Sequence, residues 1–288
     1  MRFLILQEKG RHEKNRAYRE ALCMQRSLQR AGHDCTVWGL NYENYSIPFE
    51  EISKDHDVLL SLENYDTGWH PCVNSFKGLK IFWSIDSHCS LDMHLKHCQK
   101  SSYDLLLSST QSYLGHYKNL VKYGVWFPNG YPSDFIKPHP EVDRTQQIGF
   151  CGSSTPQRDA LLDIVSKNFN LKRDTFVIGD DMVKALSSYK IAFNCNIADD
   201  INFRTFEATG AGAMLITNYT PNIEKLFVLD KEIVTYKNAD EMLQKIAYYS
   251  KNEDERAAIA AAGCARSAKD HSYDSRANQL VSIIENIK

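Results

Sequence analysis

The 288-residue chain has room for one large or two mid-sized domains. With 43 % hydrophobic and 24 % charged residues it has a globular composition, and a formal net charge of −2 argues against a general nucleic-acid-coating role, which calls for a basic surface. The apolar run Phe3–Leu6 is too short for a signal-peptide core or a membrane span and is closed by Glu8, Lys9 and Arg11, so a buried first strand, a cytoplasmic location and no integral membrane contact are expected.

Short apolar runs then alternate with helical patterns. Phe3–Leu6, Cys35–Trp38, Val58–Leu62, Leu79–Trp83, Leu105–Ser108 and Val125–Phe127 read as strands. Between the first two, Tyr18, Ala21, Leu22 and Leu28 follow helical spacing, which predicts a helix over Asn15–Ala31 stopped by Gly32. The loop before it is charged and hinged by glycine; Gly10, His12, Asn15 and Arg16 are candidates for a cleft-bordering loop, against the plain alternative of a solvated turn. After the fourth strand comes Ile85-Asp86-Ser87-His88. Asp86 is the first candidate for a catalytic base and His88 the second, with a helix N-cap at Asp86 or Ser87 as the bland alternative. Ser109, after the fifth strand, is an acceptor-side candidate. The eight cysteines form no CxxC pair and read as small buried side chains, and the spacing of His88, Cys89, His94, His97 and Cys98 matches no usual zinc framework.

Four of the chain's eight prolines fall between Pro128 and Pro140, so 128–145 reads as a connection between domains 1–127 and 146–270. The second half restarts the alternation with strands at Ile148–Cys151, Thr175–Ile178, Ile191–Asn194, Met214–Thr217 and Glu232–Thr235, and a helix at Pro156–Phe169. Asn238 with Glu241 and Asn252 with Glu255 predict capping boxes on closing helices. The terminal helix, 271–288, either stays with the second domain or crosses back to the first. Two clusters stand out. Gly152, Ser153 and Ser154 link a strand to a helix whose first turn carries Arg158, a layout suited to phosphate. Arg204 and Glu207, three apart on one helical face with Thr205 between them, suit a phosphate and a ribose, or form a plain solvated ion pair. Alternation in both halves predicts an α/β chain of two parallel-sheet domains with ligands at the carboxyl ends of the strands.

The segments GFCGSSTPQR, NFRTFEATGAGAMLITN, EKLFVLDKEIVTYKNADEMLQKI and HSYDSR, in that order from Gly149 to about Ser275, resemble the donor domain of GT-B glycosyltransferases, in particular the group-1 branch with spore-maturation-type proteins. FPNGYPSDFIKP resembles the interdomain connection of those enzymes, and the Asp86 layout is also similar to phage DNA β-glucosyltransferases. The resemblance implies two Rossmann-like domains facing across a cleft. It implies transfer of a hexosyl or pentosyl group from a nucleotide-sugar, UDP-sugar first and GDP-sugar next, to a carbohydrate or other hydroxyl. It further implies no cofactor and no catalytic metal. Glu207 matches the ribose-binding glutamate, Arg158 and Arg204 positions near the diphosphate, Gly152 and Ser153 the phosphate turn, and Val177 and Ile178 a segment facing the base. Where many relatives carry a second glutamate, this chain has Asp199, which leaves the stereochemistry open. Transfer to a modified base in DNA and non-catalytic nucleotide-sugar binding are the alternative readings.

Overall fold

The computed structural model describes residues 1–64, 68–139 and 141–287, so Pro140 of the proline-rich connection lies outside the described residues. The chain divides into two units, Met1–Asn129 with Tyr273–Lys288, and Gly130–Ser272.

In the first unit the apolar runs become β1 (Arg2–Leu6), β2 (Asp34–Trp38), β3 (Val58–Leu62), β4 (Leu79–Ser84), β5 (Leu105–Ser108) and β6 (Tyr123–Trp126). They form one six-stranded parallel sheet in the order β2-β1-β3-β4-β5-β6. The strands are near-continuous apolar segments because both faces of a parallel sheet are covered: Phe3 to Leu6 and Val58 to Leu60 have no exposed surface. Helices α1 (Glu20–Arg30), α2 (Phe49–Ile52) and α3 (Ser87–Lys100) connect the strands.

The expected helix over Asn15–Ala31 is broken. Residues Glu13–Tyr18 form a 3₁₀ turn, and Arg19 is extended (φ −62°, ψ 143°) before α1 begins. The break has a cause. Arg19 is buried, with its guanidinium 3.0 Å from Glu8, just past β1, and 3.5 Å from Glu20 at the start of α1, so its extended backbone accompanies an ion pair back to the first strand. The helix Tyr273–Ile287 belongs to this unit and packs against α1, where Arg30 pairs with Asp274 at 2.5 Å. Its Arg276 is buried and donates to the carbonyls of Pro128 at 2.7 Å and Asn129 at 3.0 Å.

The second unit holds β7 (Gln146–Gly152), β8 (Leu171–Thr175), β9 (Tyr189–Phe193), β10 (Met214–Asn218) and β11 (Val234–Tyr236), all parallel, in the order β11-β10-β9-β7-β8. Helices α4 (Pro156–Asn168), α5 (Asp180–Ser188), α6 (Phe203–Gly210), α7 (Ala239–Lys251) and α8 (Glu253–Asp270) cover it, and the terminal helix is α9. Its core joins Ile148, Phe150, Ile191, Phe193, Met214 and Ile216 of the strands to Leu162 and Val165 of α4 and Met242 and Ile246 of α7. The small residues at the end of α6 serve close packing: a Cβ on Gly210 would lie 2.3 Å from the Tyr131 ring.

Two local expectations change. The strand expected at 175–178 lies at Leu171–Thr175, on the sheet edge, where one apolar residue in the run LKRDT is enough. Asn238 caps α7 by accepting from Glu241 N–H at 2.9 Å, but Asn252 does not cap α8. With α7 ending one residue earlier, its amide instead donates back to the Tyr248 carbonyl at 2.8 Å. Among the described residues no helix is long and apolar enough to cross a membrane.

Candidate active site

In an open parallel sheet, ligands collect at the carboxyl ends of the strands where strand order reverses. In the second unit that point lies between β7 and β9. β7 ends at Gly152, and the chain passes through the exposed Ser153 and Ser154 into α4. Thr155 caps the helix, its Oγ1 accepting Arg158 N–H at 3.3 Å, and Pro156 sits in the first turn, where a missing N–H costs nothing. The Arg158 guanidinium turns back over the switch point. Nη1 donates to Ser153 Oγ at 2.7 Å, and Nε donates to the Cys195 carbonyl just after β9 at 3.1 Å. Ser154 Oγ is held by Asp159 at 2.5 Å.

Next to it α6 starts at Asn202, whose side chain accepts Thr205 N–H at 3.3 Å. Arg204 Nη1 lies 2.8 Å from Glu207 Oε2, with side chains only 16 % and 13 % exposed, so this is not the solvated pair of the bland reading. Arg204 Nε is buried without a hydrogen-bond partner among the described residues. Burial alone would push the guanidinium down, but Glu207, with Cys151 and Tyr189 beyond it, leaves its pKa raised, so Arg204 is a permanent cation. Val177 and Ile178 are half-buried in the turn after β8, and Asp199 is exposed.

In the first unit Asp86 follows β4 at the N-cap position of α3, yet its side chain makes no bond to the helix N–H groups. The cap reading for Asp86 therefore does not explain the residue. His88 is half-buried, and its Nδ1 is shielded with no hydrogen-bond partner among the described residues. Ser109 is buried and donates from Oγ to the Ile85 carbonyl at 2.6 Å, so it braces the Asp86 turn. The loop after β1 lies two strands away in sheet order. There Gly10 is left-handed (φ +86°), Asn15 N–H bonds the His12 carbonyl at 3.0 Å, Arg16 Nε approaches the Gly10 carbonyl at 3.5 Å, and His12 is exposed. Two of the neighbouring histidines have partners of their own: His94 Nδ1 bonds Ser84 Oγ at 2.9 Å and His97 Nε2 bonds the Tyr103 hydroxyl at 2.7 Å.

Residues 141–282 match the family model described as Glycosyl transferase-like. The chain has the GT-B fold, and its residues 141–282 are glycosyl transferase-like. Solved structures similar to it across its length include a sucrose-phosphate synthase from Thermosynechococcus elongatus, with 10 % identity, 100 % and 99 % of the two chains covered and a TM-score of 0.67. A glycosyltransferase from Rickettsia africae shares 14 % identity over 99 % and 98 % of the chains at a TM-score of 0.67. HepE from Anabaena, solved with UDP-glucose, shares 10 % over 99 % and 100 % at 0.69. An α-glucosyltransferase solved with UDP-glucose and DNA shares 11 % over 99 % of each chain at 0.69; it is named an α-enzyme, where the sequence layout resembled β-enzymes. No curated protein sequence matches the chain.

The chain carries three further features that the sequence did not single out. Glu63, at the end of β3, accepts the N–H groups of Ile85 at 3.2 Å and Asp86 at 2.6 Å, and its Oε2 lies 3.3 Å from His94 Nε2. Phe176 is left-handed (φ +58°) and 73 % exposed after β8, with its N–H bonded to the Gly152 carbonyl at 3.2 Å. A buried amide cluster around Asn194 and Asn196 closes the carboxyl ends of β9 and β10. Phe176 is next in the chain to a residue chosen from sequence, whereas Glu63 meets Asp86 and Asn196 meets Thr205 only in space.

Proposed function

We propose that this chain is a glycosyltransferase that moves a hexosyl group from a nucleoside-diphosphate sugar, a UDP-sugar in the first instance, to the hydroxyl of a carbohydrate or small molecule. The observation that carries this reading is Arg158 spanning the β7/β9 switch point, with the shielded Arg204–Glu207 pair on α6, the helix that follows β9. HepE and the α-glucosyltransferase were solved with UDP-glucose, which supports UDP as the first choice. In this reading the two guanidiniums and the α4 N-terminus stabilise the departing diphosphate, and Glu207 accepts hydrogen bonds from the ribose. Two fixed cations at the leaving group are the basis for proposing a metal-independent reaction, with no cofactor. Asp86, or His88 beside it, takes the proton from the acceptor hydroxyl. The formal charge of −2 favours a small acceptor over DNA.

Calorimetry with UDP and GDP tests the donor reading. Wild type binds one of them, and Glu207→Ala weakens that binding about tenfold or more, the scale of a hydrogen bond to a charged group. Unchanged affinity in the variant overturns the assignment of Glu207.

A further inference from the structure

We infer that Asn196 is the positioning residue that sets Arg158 and Arg204 at the spacing one diphosphate needs; the inference rests on the donor reading above. Asn196 is 1 % exposed and gathers bonds from three directions. Its N–H donates to Asn218 Oδ1 at 2.7 Å at the end of β10, and its carbonyl accepts Asn218 Nδ2 at 3.1 Å. Its side-chain Nδ2 donates to Thr220 Oγ1 at 3.0 Å. Its Oδ1 accepts from Asn194 Nδ2 at 3.1 Å, from Asn202 N–H at 3.2 Å and from Thr205 Oγ1 at 3.4 Å.

Two consequences follow from these partners. The peptide that joins Cys195 to Asn196 is gripped on both sides, because its N–H is held by Asn218 while its carbonyl receives Arg158 Nε at 3.1 Å. The same residue's side chain holds Asn202 and Thr205, the cap and first turn of α6, which carry Arg204. One amide therefore refers both cations to a single point on the sheet. A buried, mutually satisfied amide cluster resists reorganisation, which is what electrostatic stabilisation of a leaving group requires. Neither guanidinium is bonded by the Asn196 side chain in the interactions described, so its effect is through placement.

Asn196→Asp and Thr220→Val test this, by calorimetry with whichever of UDP or GDP the wild type binds and with the matching nucleoside. Asn196→Asp reverses the donor to Thr220 and adds negative charge beside the α6 N-terminus; diphosphate affinity is expected to fall about tenfold or more while nucleoside affinity stays within about twofold. Thr220→Val, close in volume, removes only the acceptor of the Asn196 amide and is expected to give the same selective loss at about threefold. Equal losses for nucleotide and nucleoside, or no loss in the folded Thr220→Val protein, overturn the inference. A wild type that binds neither nucleoside diphosphate overturns the donor reading itself.

Discussion

Asp86 and Glu63 meet at one turn but have different tasks. The Asp86 side chain is not used to cap α3, whereas Glu63 receives the N–H groups of Ile85 and Asp86 and so fixes where Asp86 stands. Asp86→Asn is expected to lower turnover by about 10² to 10⁴, the range of a lost general base, with donor affinity unchanged in calorimetry. Glu63→Ala is expected to lower kcat about tenfold with the donor KM within about twofold, and Glu63→Gln, which keeps an acceptor oxygen, to recover most of it. Wild-type kcat in Glu63→Ala would remove the positioning role. Arg158, Arg204, Glu207 and Asp86 were legible because each sits in a short local pattern: a strand end, a capped helix start, an i, i+3 pair. Glu63 and Asn196 were not, since Ile85 and Asp86 for the one and Asn218 and Thr220 for the other lie 22 to 24 residues away and meet them only once the strand order is known.

Elements carry their own record of what sequence encodes. Strands with both faces covered announce themselves as apolar runs, but β8 is an edge strand with one neighbour and a polar composition, so the apolar residues just after it drew the prediction forward. The break before α1 is likewise invisible to periodicity, because an ion pair between Arg19 and the end of β1 overrides helical preference. A pH dependence arises where β3 meets α3. His70 accepts from Ser61 and donates from Nδ1 to the Pro71 carbonyl at 2.9 Å, and its ring lies 4.4 Å from that of His97. Burial lowers His70 to about 4, with Lys100 adding and the Pro71 bond opposing; burial, then His70, His94 and Lys100, lower His97 to about 3. Both folded values lie below the unfolded value of 6.5, so the unfolded chain takes up protons first. Stability is then complete above about pH 6.5 and declines as pH falls towards 4, by on the order of 3 kcal/mol for His70. Urea midpoints measured from pH 7 to 4.5 are expected to drop, and His70→Gln to flatten the slope; an equal slope in that variant would place the acid sensitivity elsewhere.

At the scale of the molecule, strand–helix alternation made two parallel sheets readable, since no other arrangement covers such apolar strands on both faces. The seat of α9 on α1 had no local signal; Arg30 and Asp274 are 244 residues apart. Arg276 makes that seat costly to lose, because its removal strands the carbonyls of Pro128 and Asn129 in a buried site. Arg276→Ala is expected to destabilise the first unit by about 3 kcal/mol, seen as an earlier urea transition for probes in Met1–Asn129 with those in Gly130–Ser272 unmoved.

The return of α9 also bears on the order of events at the ribosome. Gly130–Ser272 is continuous in sequence, so every contact internal to it forms without Tyr273–Lys288. The unit begun first has its six strands early but lacks the helix that packs on α1 until the end of the chain has been made. The second unit is therefore closed by its own continuous segment, whereas the unit translated first is closed by the last helix of the chain.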